Sequence, residues 1–109
     1  MKFIVVAARS FEDSVVDVLS GLGVSSPAYA TRVGSDVRTA MTTLDENPRR
    51  GRVVPEMNDE RLRELLITSG SFRVMYLVDV ESRIVRLVDF QRAQRFDPTN
   101  LTELAKFDT

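Results

Sequence analysis

The stretch RLRELLITSGSFRVMYLVDVESRIVRLVDF, residues 61–90, decides the fold. It holds three β-rich runs, Arg61–Ile67, Phe72–Val80 and Arg83–Phe90, separated by the turn signals Thr68-Ser69-Gly70-Ser71 and Glu81-Ser82. Connections this short reverse the chain, so the runs predict a three-stranded antiparallel meander. In the middle run Phe72, Val74, Tyr76, Val78 and Val80 share one face, and Arg73, Met75, Leu77 and Asp79 share the other. Both faces are partly apolar, which suits a central strand.

Working toward the N-terminus, residues 48–60 (PRRGRVVPEMNDE) carry two Pro, one Gly and three Arg and read as a loop. Before it, Ser26-Pro27 is a helix start, a capping serine followed by proline at the first helical position. Ala30, Val33, Val37, Met41 and Leu44 continue at helical spacing until Asn47-Pro48 stops the helix. An earlier helix is predicted from an N-cap at Ser10, with Glu12 and Asp13 in its first turn. Its stripe is Phe11, Val15, Val18, Leu19 and Leu22, and Gly21 and Gly23 end it. The short linker makes the two helices an antiparallel hairpin, with Gly34 allowing close approach. KFIVVAA (residues 2–8) is a continuous apolar run and predicts a strand covered on both faces. Beyond the meander, residues 91–97 are polar and basic. Pro98–Phe107 then predicts a short helix with Asn100 as N-cap, Glu103 closing a capping box, and Leu101, Leu104 and Ala105 as its stripe. The class is α+β: an N-terminal strand, a helical hairpin and an antiparallel meander in one small sheet.

At 109 residues the chain is expected to form a single domain, with a core over residues 1–96 and a tail or short helix over 97–109. Its 43% hydrophobic and 28% charged content is that of a folded domain. It has no Cys and no His. That excludes disulfides, thiolate nucleophiles, a Ser-His-Asp triad and typical zinc sites, and leaves Arg, Tyr, Lys and carboxylates for any catalysis. No metal or cofactor is expected. Of the 15 basic residues 13 are Arg, yet the net charge is −1, unlike a strongly basic nucleic-acid binder. Residues 48–109 hold eleven basic groups against four in residues 1–47, with acid accompanying them in both halves. The apolar run Phe3–Ala8 is too short for a signal-peptide core or a membrane span, so a cytoplasmic location and no membrane partner are expected.

Several short motifs in order resemble the RelE/ParE superfamily of toxins from bacterial type II toxin–antitoxin modules. Asn47-Pro48 followed by Gly51-Arg52-Val53-Val54-Pro55-Glu56 is similar to the family's loop after the second helix. Leu62-Arg63-Glu64-Leu65 looks like its next strand, and Phe72-Arg73-Val74-Met75-Tyr76 like the strand after that. Ile84–Val88 then leads into the Arg-rich run Gln91–Arg95. The resemblance spans roughly residues 1–96 and implies a small toxin neutralised by a cognate antitoxin. Family members divide by target: RelE-like toxins cleave mRNA on the ribosome, and ParE-like toxins poison DNA gyrase without known hydrolytic chemistry.

For a ribonuclease, the resemblance implies catalytic roles for Arg73, Arg92 and Arg63. Metal-free RNA cleavage needs a base for the 2′-hydroxyl, charge stabilisation and an acid for the leaving oxygen. No Lys accompanies these arginines, no Tyr follows the last strand, and Arg is a poor proton acceptor. The ParE-like reading needs only a shaped surface, and the long hairpin from Ser10 to Glu46 resembles that branch. It is therefore preferred, with an mRNA interferase and a non-toxic interaction domain as alternatives. Candidate residues for target or antitoxin binding are Arg52, Glu56, Arg63, Met75, Leu77, Arg92 and Arg95. A sheet face bearing Arg63, Met75 and Leu77 would suit an acidic, partly apolar antitoxin segment. Structural roles stand beside these: Arg73 can pair with Glu64 across strands, Arg52 and Glu56 can pin their loop, and Tyr76 reads as core.

Overall fold

The computed structural model describes residues 2–98 and residue 101. Its elements are β1 (Ile4–Ala7), α1 (Arg9–Ser25), α2 (Pro27–Thr43), β2 (Arg52–Val53), β3 (Leu62–Ile67), β4 (Phe72–Asp79) and β5 (Ile84–Arg92). The meander β3–β4–β5 is antiparallel as expected, and it lies inside a larger five-stranded mixed sheet of order β1-β5-β4-β3-β2. β1 adds to β5 in parallel, and β2 adds to β3 antiparallel. Residues 48–60 are therefore not all loop.

β4 takes the central place its sequence predicts, with seven of its eight residues buried. Facing the helices, Phe72, Val74, Tyr76 and Val78 join Val85, Leu87 and Phe90 of β5 in one core. The helices contribute Phe11, Leu22, Val33, Val37, Ala40 and Leu44. Phe90 stacks on Phe72 at 5.4 Å and meets the edge of Phe11 at 6.4 Å, joining α1 to the two central strands. Between Met75 and Tyr76 the pairing slips, so that Val88 of β5 is an extra residue. Ser10 of α1 donates to the Val88 carbonyl at 2.7 Å, and Ser14 donates to Asp89 at 2.8 Å.

Several local expectations change. β1 is an edge strand with Ile4 65% exposed, so KFIVVAA is not covered on both faces. α1 starts two residues earlier, at Arg9 after Ala8 as N-cap, because the Ser10 hydroxyl bonds to β5 instead of capping. It also runs through Gly21 and Gly23 to Ser25. The cost of about 1 kcal/mol per glycine is outweighed by the buried stripe on its other side. Ser26 caps α2 as predicted, accepting from the Tyr29 N–H at 3.3 Å. A Cβ at Gly34 would meet Leu19 at 3.5 Å, an ordinary contact, so packing does not require glycine there. α2 ends at Thr43, before Asn47-Pro48. β5 continues through Gln91 and Arg92, two residues beyond the run Arg83–Phe90. The helix expected over Pro98–Phe107 lies outside the described residues, apart from exposed Pro98 and Leu101, which is helical and 1% exposed.

Candidate functional site

The sheet has a second buried face, away from the helices. Its apolar part is Leu62, Met75, Leu77 and Val88, covered by Val54, Met57, Phe96 and Leu101. Beside this patch the strand register brings four charges together. Arg52 of β2 lies directly opposite Glu64 of β3, and Glu64 lies opposite Met75, next on its face to Arg73. Arg52 donates to Glu64 Oε2 from Nε and Nη2, each at 2.7 Å. Arg73 Nη1 donates to Glu64 Oε1 at 3.1 Å and to both Glu56 oxygens at 3.0 and 3.1 Å. Its Nε and Nη2 donate to the Ala93 carbonyl at 3.2 and 2.8 Å, and its guanidinium lies 5.3 Å from the Phe96 ring centroid.

Burial gives this network its force. The Glu64 side chain is fully buried and that of Arg73 is 11% exposed, while Arg52 and Glu56 form the wetter ends. The Glu56 bond and the charge of Glu64 raise the Arg73 pKa further above its ordinary range, against the effect of burial. The hydrogen bond from Arg73 in turn holds the Glu56 carboxyl below its ordinary 4.5. Arg73 thus ties the loop carrying Glu56 and the segment carrying Ala93 and Phe96 onto the sheet.

On the helix side a second latch forms. Tyr76, fully buried, accepts the Gly51 N–H on its hydroxyl at 2.9 Å, and Arg63 Nη1 donates to the Gly51 carbonyl at 3.0 Å. Burial raises the Tyr76 pKa, so its phenol stays protonated at neutral pH.

Arg92 and Arg95 lie at the far end of β5, both exposed. Arg92 is directly opposite Phe72 and lies 5.7 Å over its ring. The Arg95 N–H donates to the Arg92 carbonyl at 3.2 Å, closing a turn. Both side chains line an open groove of about 570 Å³ with Tyr29, Ser69, Ser71 and Gln94.

The sequence-predicted residues therefore separate into three places. Arg52, Glu56 and Arg73 come together around Glu64, and Arg73 pairs with Glu64 across the strands. Met75 and Leu77 are 0% and 5% exposed beneath the chain's own residues, so they offer no open surface. Arg63 is opposite Tyr76 and shares its face, so the expected surface of Arg63, Met75 and Leu77 does not exist. The three arginines named for ribonuclease chemistry do not converge. Arg63 and Arg73 are on opposite faces, and the partners of Arg63 and Arg92 on β4 are four residues apart, roughly 13 Å along the strand. Sequence reading missed the Gly51–Tyr76 latch and the groove beside Tyr29. Among the described residues no group of three or more His, Cys, Asp or Glu could hold a metal ion, and no helix is long and apolar enough to cross a membrane.

The Arg73–Glu56 link carries a pH prediction. Because Glu56 is held below its ordinary value, the stability it contributes is complete above about pH 4.5 and is lost as pH falls through its folded value. Glu56→Gln should flatten the fall in melting temperature between about pH 5 and about pH 3. Equal slopes for variant and parent would contradict the link.

Residues 6–95 match the family model described as the ParE toxin of the type II toxin–antitoxin system parDE. No curated protein matches the sequence significantly. Among solved structures, the fold is similar to a chain of the chromosomal ParDE toxin–antitoxin system from P. aeruginosa. That likeness has a TM-score of 0.67 and 14% identity, over 84% of this chain and 96% of that one. It is similar also to a chain of the RelBE2 toxin–antitoxin complex from Mycobacterium tuberculosis, with a TM-score of 0.58, 18% identity, and 85% and 94% of the two chains covered. A mutant E. coli RelE toxin in the free state aligns over 98% of both chains, with a TM-score of 0.59 and 17% identity.

Proposed function

Since the chain belongs to the ParE family of type II toxin–antitoxin toxins, we propose that it arrests bacterial growth by poisoning DNA gyrase and is neutralised by a cognate antitoxin. The observation that carries the gyrase reading is the state of Arg73. Its guanidinium is engaged by Glu56, Glu64, the Ala93 carbonyl and the Phe96 ring, leaving it ill-placed to meet a scissile phosphate. Arg63 and Arg92 lie elsewhere on the sheet, and neither they nor the protonated Tyr76 phenol supplies a base for a 2′-hydroxyl. The net charge of −1 also suits a protein target better than ribosomal RNA, whose binding draws on many phosphate contacts. A small soluble toxin acting inside the cell fits this reading.

Inducing the chain alone in a bacterium should stop growth, and co-expressing the small protein encoded beside its gene should restore it. Unimpeded growth with soluble, folded protein present would overturn the toxin reading of this copy.

A further inference from the structure

The groove at the end of β5 contains two guanidiniums, Arg92 and Arg95, with the neutral polar side chains of Tyr29, Ser69, Ser71 and Gln94. Among the described residues no carboxylate lines it. Elsewhere Arg52 and Arg73 are paired with Glu64 and Glu56, and Arg61 with Asp59. Here no ion pair joins Arg92 or Arg95 to any acid among the described residues. Their backbone is nonetheless fixed. Arg92 is held over Phe72, the Arg95 N–H closes a turn onto the Arg92 carbonyl, and the Ala93 N–H donates to Ser71 at 2.9 Å, fastening that turn to the β3–β4 connection.

We infer that this groove is a receptor for a diacidic segment of the antitoxin, with one carboxylate on each of Arg92 and Arg95. The assignment rests on reading the chain as an antitoxin-neutralised toxin. A turn closed between residues three apart places their Cα atoms within about 7 Å. Alternate residues of an extended chain lie about 6.6 Å apart on one side. An extended segment with acidic residues at alternate positions therefore matches the arginine pair, and a guanidinium binds a carboxylate through two parallel N–H bonds. Ser69, Ser71 and Gln94 provide donors and acceptors for the segment's backbone. A nucleic acid fits less well: two cations neutralise few phosphates, and phosphate affinity grows with the number neutralised.

The test is a titration of the full-length isotope-labelled protein, followed by backbone amide and arginine Nε–H resonances. The probes are a capped hexapeptide containing Glu-Val-Glu, its Gln-Val-Gln counterpart, inorganic phosphate and a six-nucleotide uridine RNA. The Glu peptide is expected to shift resonances of residues 69–72 and 92–95 at least about tenfold more tightly than the Gln peptide, with salt weakening it. In Arg92→Gln/Arg95→Gln, whose changes are on exposed side chains, the amide spectrum should stay folded and those shifts should vanish. The inference fails if the Glu peptide gives no shifts there, or if the Gln peptide or phosphate matches it. It fails also if RNA shifts the same resonances at lower concentration. Peptide binding is read without toxicity, so a chain that binds the Glu peptide but does not arrest growth would overturn the functional reading and not the groove's chemistry.

Discussion

Arg73→Ala should lose about 3 kcal/mol of stability and melt more than about 10 °C below the parent. The side chain removed is almost fully buried, and its loss leaves Glu64, fully buried, with Arg52 as its one remaining cationic partner in the network. It also releases Glu56, the Ala93 carbonyl and the Phe96 ring. Removing one member of a buried ion pair costs more than the pair itself contributes, because the surviving charge stays in a poor solvent. Retained pairing with Arg52 puts the expected loss at the low end of the usual range. The same reasoning predicts rescue. Arg73→Met combined with Glu64→Leu removes both buried charges and replaces them with apolar groups beside Met75 and Leu62, so much of the stability should return. The rescued double variant should still arrest growth. A catalytic arginine would behave in the opposite way: the single variant would stay folded and lose activity, and no apolar replacement would restore it.

Gly51→Ala should be comparably severe, losing about 2 to 4 kcal/mol in a denaturant titration. A Cβ at this position would lie 2.5 Å from the Tyr76 hydroxyl and closer still to the Glu64 carbonyl oxygen. Neither neighbour can yield: one is strand backbone, the other a fully buried ring whose hydroxyl already accepts the Gly51 N–H. Displacing the loop to relieve the clash breaks that bond and the Arg63 bond to the Gly51 carbonyl together. Gly34→Ala is the matched control, because its Cβ would meet only Leu19 at ordinary contact distance in a helix that favours alanine. It should be neutral or stabilising. Equal losses at the two positions would show that the collision at Gly51 is not what makes the first substitution costly.

How much of this was legible in the sequence depends on how local each feature is. The two-sided burial of β4 and the Ser26-Pro27 start of α2 follow from alternation and from capping chemistry, and both appear as expected. Pairings between distant segments leave no such signature. β1 joins β5 across some eighty residues, and nothing in KFIVVAA distinguishes a parallel edge from a covered centre. β2 is two residues long within a Pro-, Gly- and Arg-rich stretch, and only its partner Leu62–Ile67 makes it a strand. In the site, the Arg73–Glu64 pair could be anticipated from neighbouring strands, and it forms. Glu56 could not be connected to Arg73, because the path of residues 54–60 is set by Val54 and Met57 packing under the sheet. The sequence alone groups Arg63 with Met75 and Leu77, whereas its partner Tyr76 puts it on the other face. Strand parity within each run was readable; the register between runs, which fixes faces relative to one another, was not.

Gyrase, and not mRNA, is the target we propose for this ParE-family chain. The most direct measurement adds the purified full-length protein to a gyrase supercoiling reaction and, in parallel, to a translating extract. Inhibited supercoiling with accumulation of gyrase-linked cleaved DNA is expected, with intact mRNA in the extract. Undisturbed supercoiling together with mRNA cleavage that depends on Arg73, Arg92 or Arg63 would contradict it.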